Sequence, residues 1–218
     1  MQIANPIYDV VFRYLMGDNK IAKIMISSII GQEIEELEFR PQEFVTADEK
    51  RRKSSQKNRK LKGSLTVYRL DFSAKIKTPD GSKLVHIEIQ KAKYHSDIMR
   101  FRKYLGHHYS NPNNIYTVNE SKSEYKKKAL PIISIYFLGH KLEHTDAPVI
   151  QVLRKYYDAA TRAEIKTREE FIESLTHDSY VIQIPYLKHK RRNNLELLLS
   201  VFDQNNITNN AHILNIKE

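Results

Sequence analysis

Three side chains in this sequence combine cation-binding chemistry with a spacing that brings them together: Asp71, Glu88 and Gln90. They lie in a stretch that reads Val-Tyr-Arg-Leu-Asp-Phe-Ser-Ala-Lys-Ile-Lys from Val67 and Ser-Lys-Leu-Val-His-Ile-Glu-Ile-Gln from Ser82, with Thr78-Pro-Asp-Gly81 between. Leu70, Phe72, Ala74 and Ile76 alternate with Asp71, Ser73 and Lys75, and Val85, Ile87 and Ile89 alternate with His86, Glu88 and Gln90. That period of two is the mark of half-buried strands, and Pro79, Asp80 and Gly81 mark a turn. With Asp80-Gly81 as a two-residue loop, Asp71 falls opposite Gln90 and Ser73 opposite Glu88, leaving Glu88 diagonal to Asp71. A three-residue loop would set Asp71 against Ile89 and mix the two faces, so the pattern demands an even loop. Opposite and diagonal neighbours on one face are about 5 to 8 Å apart at their β-carbons, close enough for Asp71 and Glu88 to share a cation. Oxygen donors suit Mg²⁺ or Mn²⁺. A solvated face on an exposed sheet has the same spacing, and spacing alone leaves both readings open.

A hairpin of this kind needs a sheet and helices to position it. Tyr8 to Gly17 reads as a short amphipathic helix with Val11, Phe12 and Leu15 inward. Asp18-Asn19 caps a second helix from Lys20 to Ile30, whose stripe is Ile21, Ile24, Met25, Ser28 and Ile29, and Gly31 ends it. A weak strand signal from Ile34 to Thr46 is interrupted by Pro41. After the hairpin, Ser96 is placed to cap a helix from Asp97 to Tyr109 with Ile98, Phe101 and Leu105 inward. Arg100, Tyr104 and His108 recur on another face of that helix, turned either to the acidic hairpin face or to solvent. His107-His108 is not expected to bind metal, because adjacent helical positions diverge by about 100° and no second pair stands at ligand spacing.

Thr117 to Lys128 is polar and basic, without an assigned element. Leu130 to Leu138 is a short, continuous apolar run, the signature of a buried central strand, and a helix between it and the hairpin implies a mixed sheet with a crossover. Val149 to Tyr157 suits a short strand or helix, Glu164 to Leu175 a charged helix, and Ser179 to Leu187 a strand that Pro185 moves to an edge or an end. Leu195 to Phe202 closes an expected single domain over 1–202, and 203–218 reads as a frayed tail.

Composition narrows the partner. The 218 residues carry 36 Lys and Arg against 26 Asp and Glu, a net charge of +10. Such an excess favours a polyanion, nucleic acid before membrane. Much of it lies in a charge run over 48–63, a mobile basic loop whose Arg51, Arg52, Lys53, Arg59 and Lys60 are candidates for sequence-independent phosphate contacts or for a plain solvated loop. There is no cysteine, which excludes disulfides and thiolate metal sites. No window has the length of a transmembrane helix and the N-terminus lacks a signal core, so a cytoplasmic protein is expected.

Asp71, the hairpin turn, Glu88-Ile-Gln90, a helix and a buried strand, in that order, resemble the core of the PD-(D/E)xK nucleases, with elements α, β, β, β, α, β. The likeness is nearer to one branch. Asp9-Val-Val-Phe-Arg-Tyr-Leu-Met-Gly17, Leu70-Asp-Phe72, Ile87-Glu-Ile-Gln90 and the following Arg100 and Tyr104 look like the PD-(D/E)xK nuclease family transposases, relatives of recombination-promoting nucleases, over about residues 5 to 190. The resemblance implies an α/β fold with a restriction-endonuclease-like core, a central mixed sheet flanked by helices. It implies a Mg²⁺-dependent (or Mn²⁺-dependent) DNA endonuclease, with DNA as partner, no membrane, and room for a dimer. Asp71, Glu88 and the backbone carbonyl of Ile89 would then hold the metal, and Asp9, Arg100 and Tyr104 would be auxiliary.

Gln90 stands where such nucleases usually carry lysine, and an amide neither acts as a base nor carries charge, so its role would be to orient water or a phosphate oxygen. Lys91 is no substitute, because strand alternation turns it to the other face. The missing lysine motivates one alternative, a DNA-binding or interaction module of the same fold with impaired catalysis; an RNA-cleaving defence effector is a third reading. No helix-turn-helix or zinc module is recognisable, so no target sequence is predicted.

Overall fold

The alternation on either side of residues 79–80 is realised as two long antiparallel strands, and every other element is arranged around them. The computed structural model describes residues 9–40, 69–78, 81–92, 94–112, 114–121, 124–187 and 192–202. In chain order these form α1 (Asp9–Gly17), α2 (Asn19–Ile30), β1 (Ile34–Arg40), β2 (Arg69–Thr78), β3 (Gly81–Ala92), α3 (Ile98–Ser110), β4 (Ile115–Ser121), β5 (Glu124–Ala129), β6 (Ile132–Leu138), β7 (Val149–Val152), β8 (Tyr156–Tyr157), β9 (Glu164–Ile165), α4 (Glu170–Leu175), β10 (Asp178–Gln183), α5 (Ile184–Leu187) and α6 (Asn194–Leu199). The basic run at 48–63, with Arg51, Arg52, Lys53, Arg59 and Lys60, and the tail at 203–218 lie outside the described residues.

Six strands form one mixed sheet in the order β1-β2-β3-β6-β10-β7. β1, β2 and β3 are an antiparallel meander, α3 crosses back, and β6 then runs parallel to β3. β10 is parallel to β6 and antiparallel to β7. An α/β sheet with helices on its faces and this meander-crossover order is the arrangement of a restriction-endonuclease-like core. Among the described residues no helix is long and apolar enough to cross a membrane.

The hairpin register differs from the expected one by two residues. Thr78 pairs with Gly81, so Asp71 faces Glu88 directly, Ser73 faces His86 and Arg69 faces Gln90. The faces are as the pattern requires, because moving a two-residue loop back by one position shifts every pair by two and changes no side chain's face. Burial fixes parity; it leaves the position of the turn open.

One face of the sheet is the main core. Leu70, Phe72, Ala74, Ile76, Val85, Ile87, Ile89, Ile135, Phe137 and Ile182 pack there against α1, α2 and the C-terminal helical segment. Phe12, Phe137 and Phe202 meet ring to ring, with centroids 4.9 to 5.7 Å apart. Asp18 caps α2 by accepting from the Lys20 and Ile21 amides, and Gly31 ends it in the left-handed region at φ 67°. That backbone conformation costs glycine least. The inward stripe of α2 is Ile21, Ala22, Met25, Ile26 and Ile29, rotated from the expected one, so Ile24 is exposed. A 3.6-residue period tolerates such a rotation when isoleucines occupy both candidate stripes.

The opposite face, expected to be half solvated, is buried. The crossover from β3 to β6 has to lie over one face of the sheet, and α3 lies over this one. Phe101 stacks on Tyr136 at 4.9 Å between centroids, and Ala92, Phe101 and Leu138 form a small apolar cluster. Ile98, expected inward, is exposed. The start of α3 also differs: a single 3₁₀ turn, His95–Asp97, precedes it, and the Tyr94 amide donates to the Asp97 carboxylate at 3.1 Å, so Ser96 is not the cap.

Three further expectations are corrected. Residues of the polar stretch 117–128 belong to a separate two-stranded sheet, β4-β5. The charged helix is confined to Glu170–Leu175, because Asp158 accepts from the Ala160 and Thr161 amides and starts a turn that pairs β8 with β9. β10 stops at Gln183, inside the sheet between β6 and β7, and Pro185 sits in the short helix beyond it.

Candidate metal centre

Asp71 and Glu88 are a directly opposed cross-strand pair on β2 and β3. Residues directly opposite on an antiparallel pair bring their side chains side by side, and two like charges so placed repel unless something lies between them. What lies against them here is imidazole. His86, two residues before Glu88 on the same face of β3, places Nε2 3.7 Å from Asp71 Oδ1. His108, in the last turn of α3, places Nε2 3.3 Å from Asp71 Oδ1 and 3.7 Å from Glu88 Oε1. The two rings are 4.1 Å apart at their centroids. Asp71, Glu88, His86 and His108 are all at most 2 % exposed.

The surroundings hold these groups in place. Gln90 donates from Nε2 to Glu88 Oε1 at 2.6 Å. The Asn114 amide nitrogen lies 3.0 Å from the His108 backbone oxygen, to which it donates, and 3.2 Å from His108 Nδ1, so it clamps the ring with Nε2 aimed at the carboxylates. Neither ring nitrogen of His86 makes a hydrogen bond with any described residue. A buried polar atom in that condition is energetically costly and points to a missing partner. On the neighbouring strand, burial pushes the Tyr136 phenol above its ordinary value, and the negative charge of Glu88 adds to that shift.

The structure sorts the expected site residues. Asp71, Glu88 and Gln90 are together, as expected, but Gln90 is committed to Glu88. Ile89 lies mid-strand between Leu70 and Ile135, with its side chain in the core. The register of β3 against β6 is unbroken through Ala92, so Lys91 alternates away from the cluster. Arg100 is tied down at the start of α3, donating to the Lys91 carbonyl at 2.8 Å and pairing with Asp97 at 3.4 Å. Tyr104 is half buried one turn before His108. Asp9 opens α1, and its side chain is outside what the structure describes.

Sequence reasoning missed His86, His108, Asn114 and Arg40. His86 was already on the right face by alternation, and His108 belonged to a stripe that could turn to the hairpin; comparing the two histidines with each other, rather than His108 with His107, would have found the pair. Arg40 lies opposite Asp71 on β1, its Nη2 3.2 Å from Ser73 Oγ, and only the three-strand register reveals it.

Chemically, the group offers one carboxylate oxygen and two ring nitrogens within 4.8 Å of one another, Asp71, His86 and His108, a spacing that could hold a metal ion. Glu88 adjoins it, and Arg40 adds a permanent cation at its edge. No family model, curated protein or solved structure matches the chain.

Proposed function

We propose that this protein is a metal-dependent nuclease that hydrolyses phosphodiester bonds in DNA. One observation carries the reading: Asp71 directly across from Glu88, beneath a crossover helix, in a sheet with restriction-endonuclease-like strand order. Two carboxylates set directly opposite each other and out of water repel, which favours a cation between them. A divalent ion, when bound, supplies a water of lowered pKa and neutralises charge on the scissile phosphate.

The chain's own residues do the rest. Asp71 and Glu88 hold the ion, and Gln90 fixes Glu88 by its hydrogen bond rather than taking a proton. Arg40 offers the positive charge that the missing lysine does not, beside Asp71 on the neighbouring strand. The net charge of +10 supports a polyanionic substrate.

The test is nicking of supercoiled plasmid with Mg²⁺, Mn²⁺ or chelator, for the wild type and Asp71→Asn. Ion-dependent nicking, reduced at least roughly 100-fold in Asp71→Asn with DNA binding retained, is the expected result. DNA binding without nicking in either ion would overturn the nuclease in favour of a binding module.

A further inference from the structure

We propose that the ion at this site is an imidazole-accepting transition metal of the Zn²⁺ kind rather than Mg²⁺, ligated by Asp71, His86 and His108. The chemistry assigned to that ion rests on the nuclease reading above, while the ligand set rests on geometry alone.

Mg²⁺ demands near-octahedral oxygen donors and gives up its waters reluctantly, so a site built for it has little use for imidazole. Zn²⁺ and its neighbours accept nitrogen and oxygen together, at about 2.0–2.2 Å. Two donors at corners of a tetrahedron around such an ion are roughly 3.4 Å apart. The distances from Asp71 Oδ1 to His108 Nε2 and to His86 Nε2 are 3.3 and 3.7 Å, and Glu88 Oε1, 3.7 Å from His108 Nε2, adjoins this set, leaving the fourth corner open. His86 is the independent witness. It is 1 % exposed, its Nε2 lies 3.7 Å from Asp71, and neither of its ring nitrogens has a hydrogen bond among the described residues, a state that ligation through Nε2 relieves at that nitrogen.

His108 has the outer support of a ligand, since Asn114 fixes its far nitrogen. Ligation through Nε2 places the ring proton on Nδ1. Nδ1–H then donates, and the Asn114 side-chain amide beside it offers its oxygen as the acceptor.

The experiment uses the whole chain, stripped of metal by chelator and dialysis, and no DNA. Calorimetric titration with Zn²⁺, Mn²⁺ and Mg²⁺ is paired with long-range ¹H–¹⁵N spectra of the histidine rings. We expect one Zn²⁺ per chain, bound at least ~100-fold more tightly than Mg²⁺, with the Nε2 resonances of His86 and His108 shifting together. His86→Leu should lose at least ~10-fold in Zn²⁺ affinity and little in Mg²⁺ affinity. Equal affinity for the two ions, or Zn²⁺ binding that shifts only other rings such as the stacked His95 and His140 pair, 3.9 Å apart, overturns the proposal. If His86→Leu does not fold, the wild-type spectra decide. Zn²⁺ at these rings without plasmid nicking removes the nuclease and keeps the ion; Mg²⁺-dependent nicking with unshifted rings does the reverse.

Discussion

Arg154 and Asp71 each anchor a group of charged side chains, the first partly and the second wholly withdrawn from water, and the two groups are satisfied in opposite ways. Around Arg154, charge meets opposite charge and donors meet acceptors. Its Nε and Nη2 donate to the two Asp178 oxygens at 2.9 and 3.2 Å, Nη2 also to Glu173 Oε2 at 3.0 Å, and Nη1 to the Thr176 carbonyl at 3.0 Å. Arg168 and the Tyr156 hydroxyl complete Glu173. The result is a clasp that ties β7 and the β8-β9 turn to α4 and β10. Around Asp71, two carboxylates stand side by side, imidazoles lie 3.3 to 3.7 Å from them, and among the described residues His86 makes no hydrogen bond. Burial of charge does not by itself separate a structural group from a functional one. Incompleteness does, because a fold that can satisfy its polar atoms generally does so.

The comparison predicts that the two groups respond differently to truncation. Arg154→Ala removes the guanidinium shared by Asp178 and Glu173, leaving Glu173 its contact with Arg168, and should cost about 2 kcal/mol in urea unfolding. A loss under about 1 kcal/mol would reduce the clasp to a surface pair. His86→Leu, by contrast, removes two unsatisfied nitrogens at similar volume, and the metal-free protein should hold its stability or gain up to about 1 kcal/mol. A loss of more than about 2 kcal/mol would mean that the Asp71 cluster is held together by His86 as the clasp is by Arg154, and the contrast would fail.

The smallest expected effect is a pH dependence. Burial pushes the Asp178 carboxyl up, but the Arg154 guanidinium more than offsets this and holds it below its ordinary 3.8; Glu173 is likewise raised by burial and lowered further by Tyr156 and Arg154, to below its ordinary 4.5. The unfolded chain therefore takes up these protons first as pH falls. Their contribution is complete above about pH 4.5 and is lost as pH drops through the folded-state values. In Arg154→Ala the acid limb of stability against pH should flatten, and an unchanged limb would place the acid sensitivity elsewhere.

The sheet was legible because its strands are marked by uninterrupted patterns. Leu70 to Ile76 and Val85 to Ile89 fix two faces by alternation, and the apolar Leu130 to Leu138 run can only be central. The carboxylate pair followed from the same alternation. Its exact partner did not, since a two-residue shift of register preserves every face and so leaves no trace in hydrophobicity. The burial of the polar face was hidden for another reason: polar residues are taken as solvated unless a helix is known to cover them, and that depends on tertiary placement of α3. His108 belongs to this class. Its neighbour His107 offered a local, misleading comparison, whereas its true companion His86 is 22 positions earlier, on a strand. The β8-β9 turn was obscured by charged residues that suit a helix surface and a hairpin alike.

The Tyr180 hydroxyl donates to the Ile30 carbonyl at 3.1 Å, closing the end of α2 onto a strand 150 residues later. The first helices leave the ribosome long before 132–138 and 178–183, the strands that complete the surface on which they rest. Ala22, Met25, Ile26 and Ile29 thus have no finished platform until those strands have been made. Contacts of such sequence separation close late, and apolar surface that waits for them is prone to association. The main core therefore closes only once the strand at 178–183 has been made.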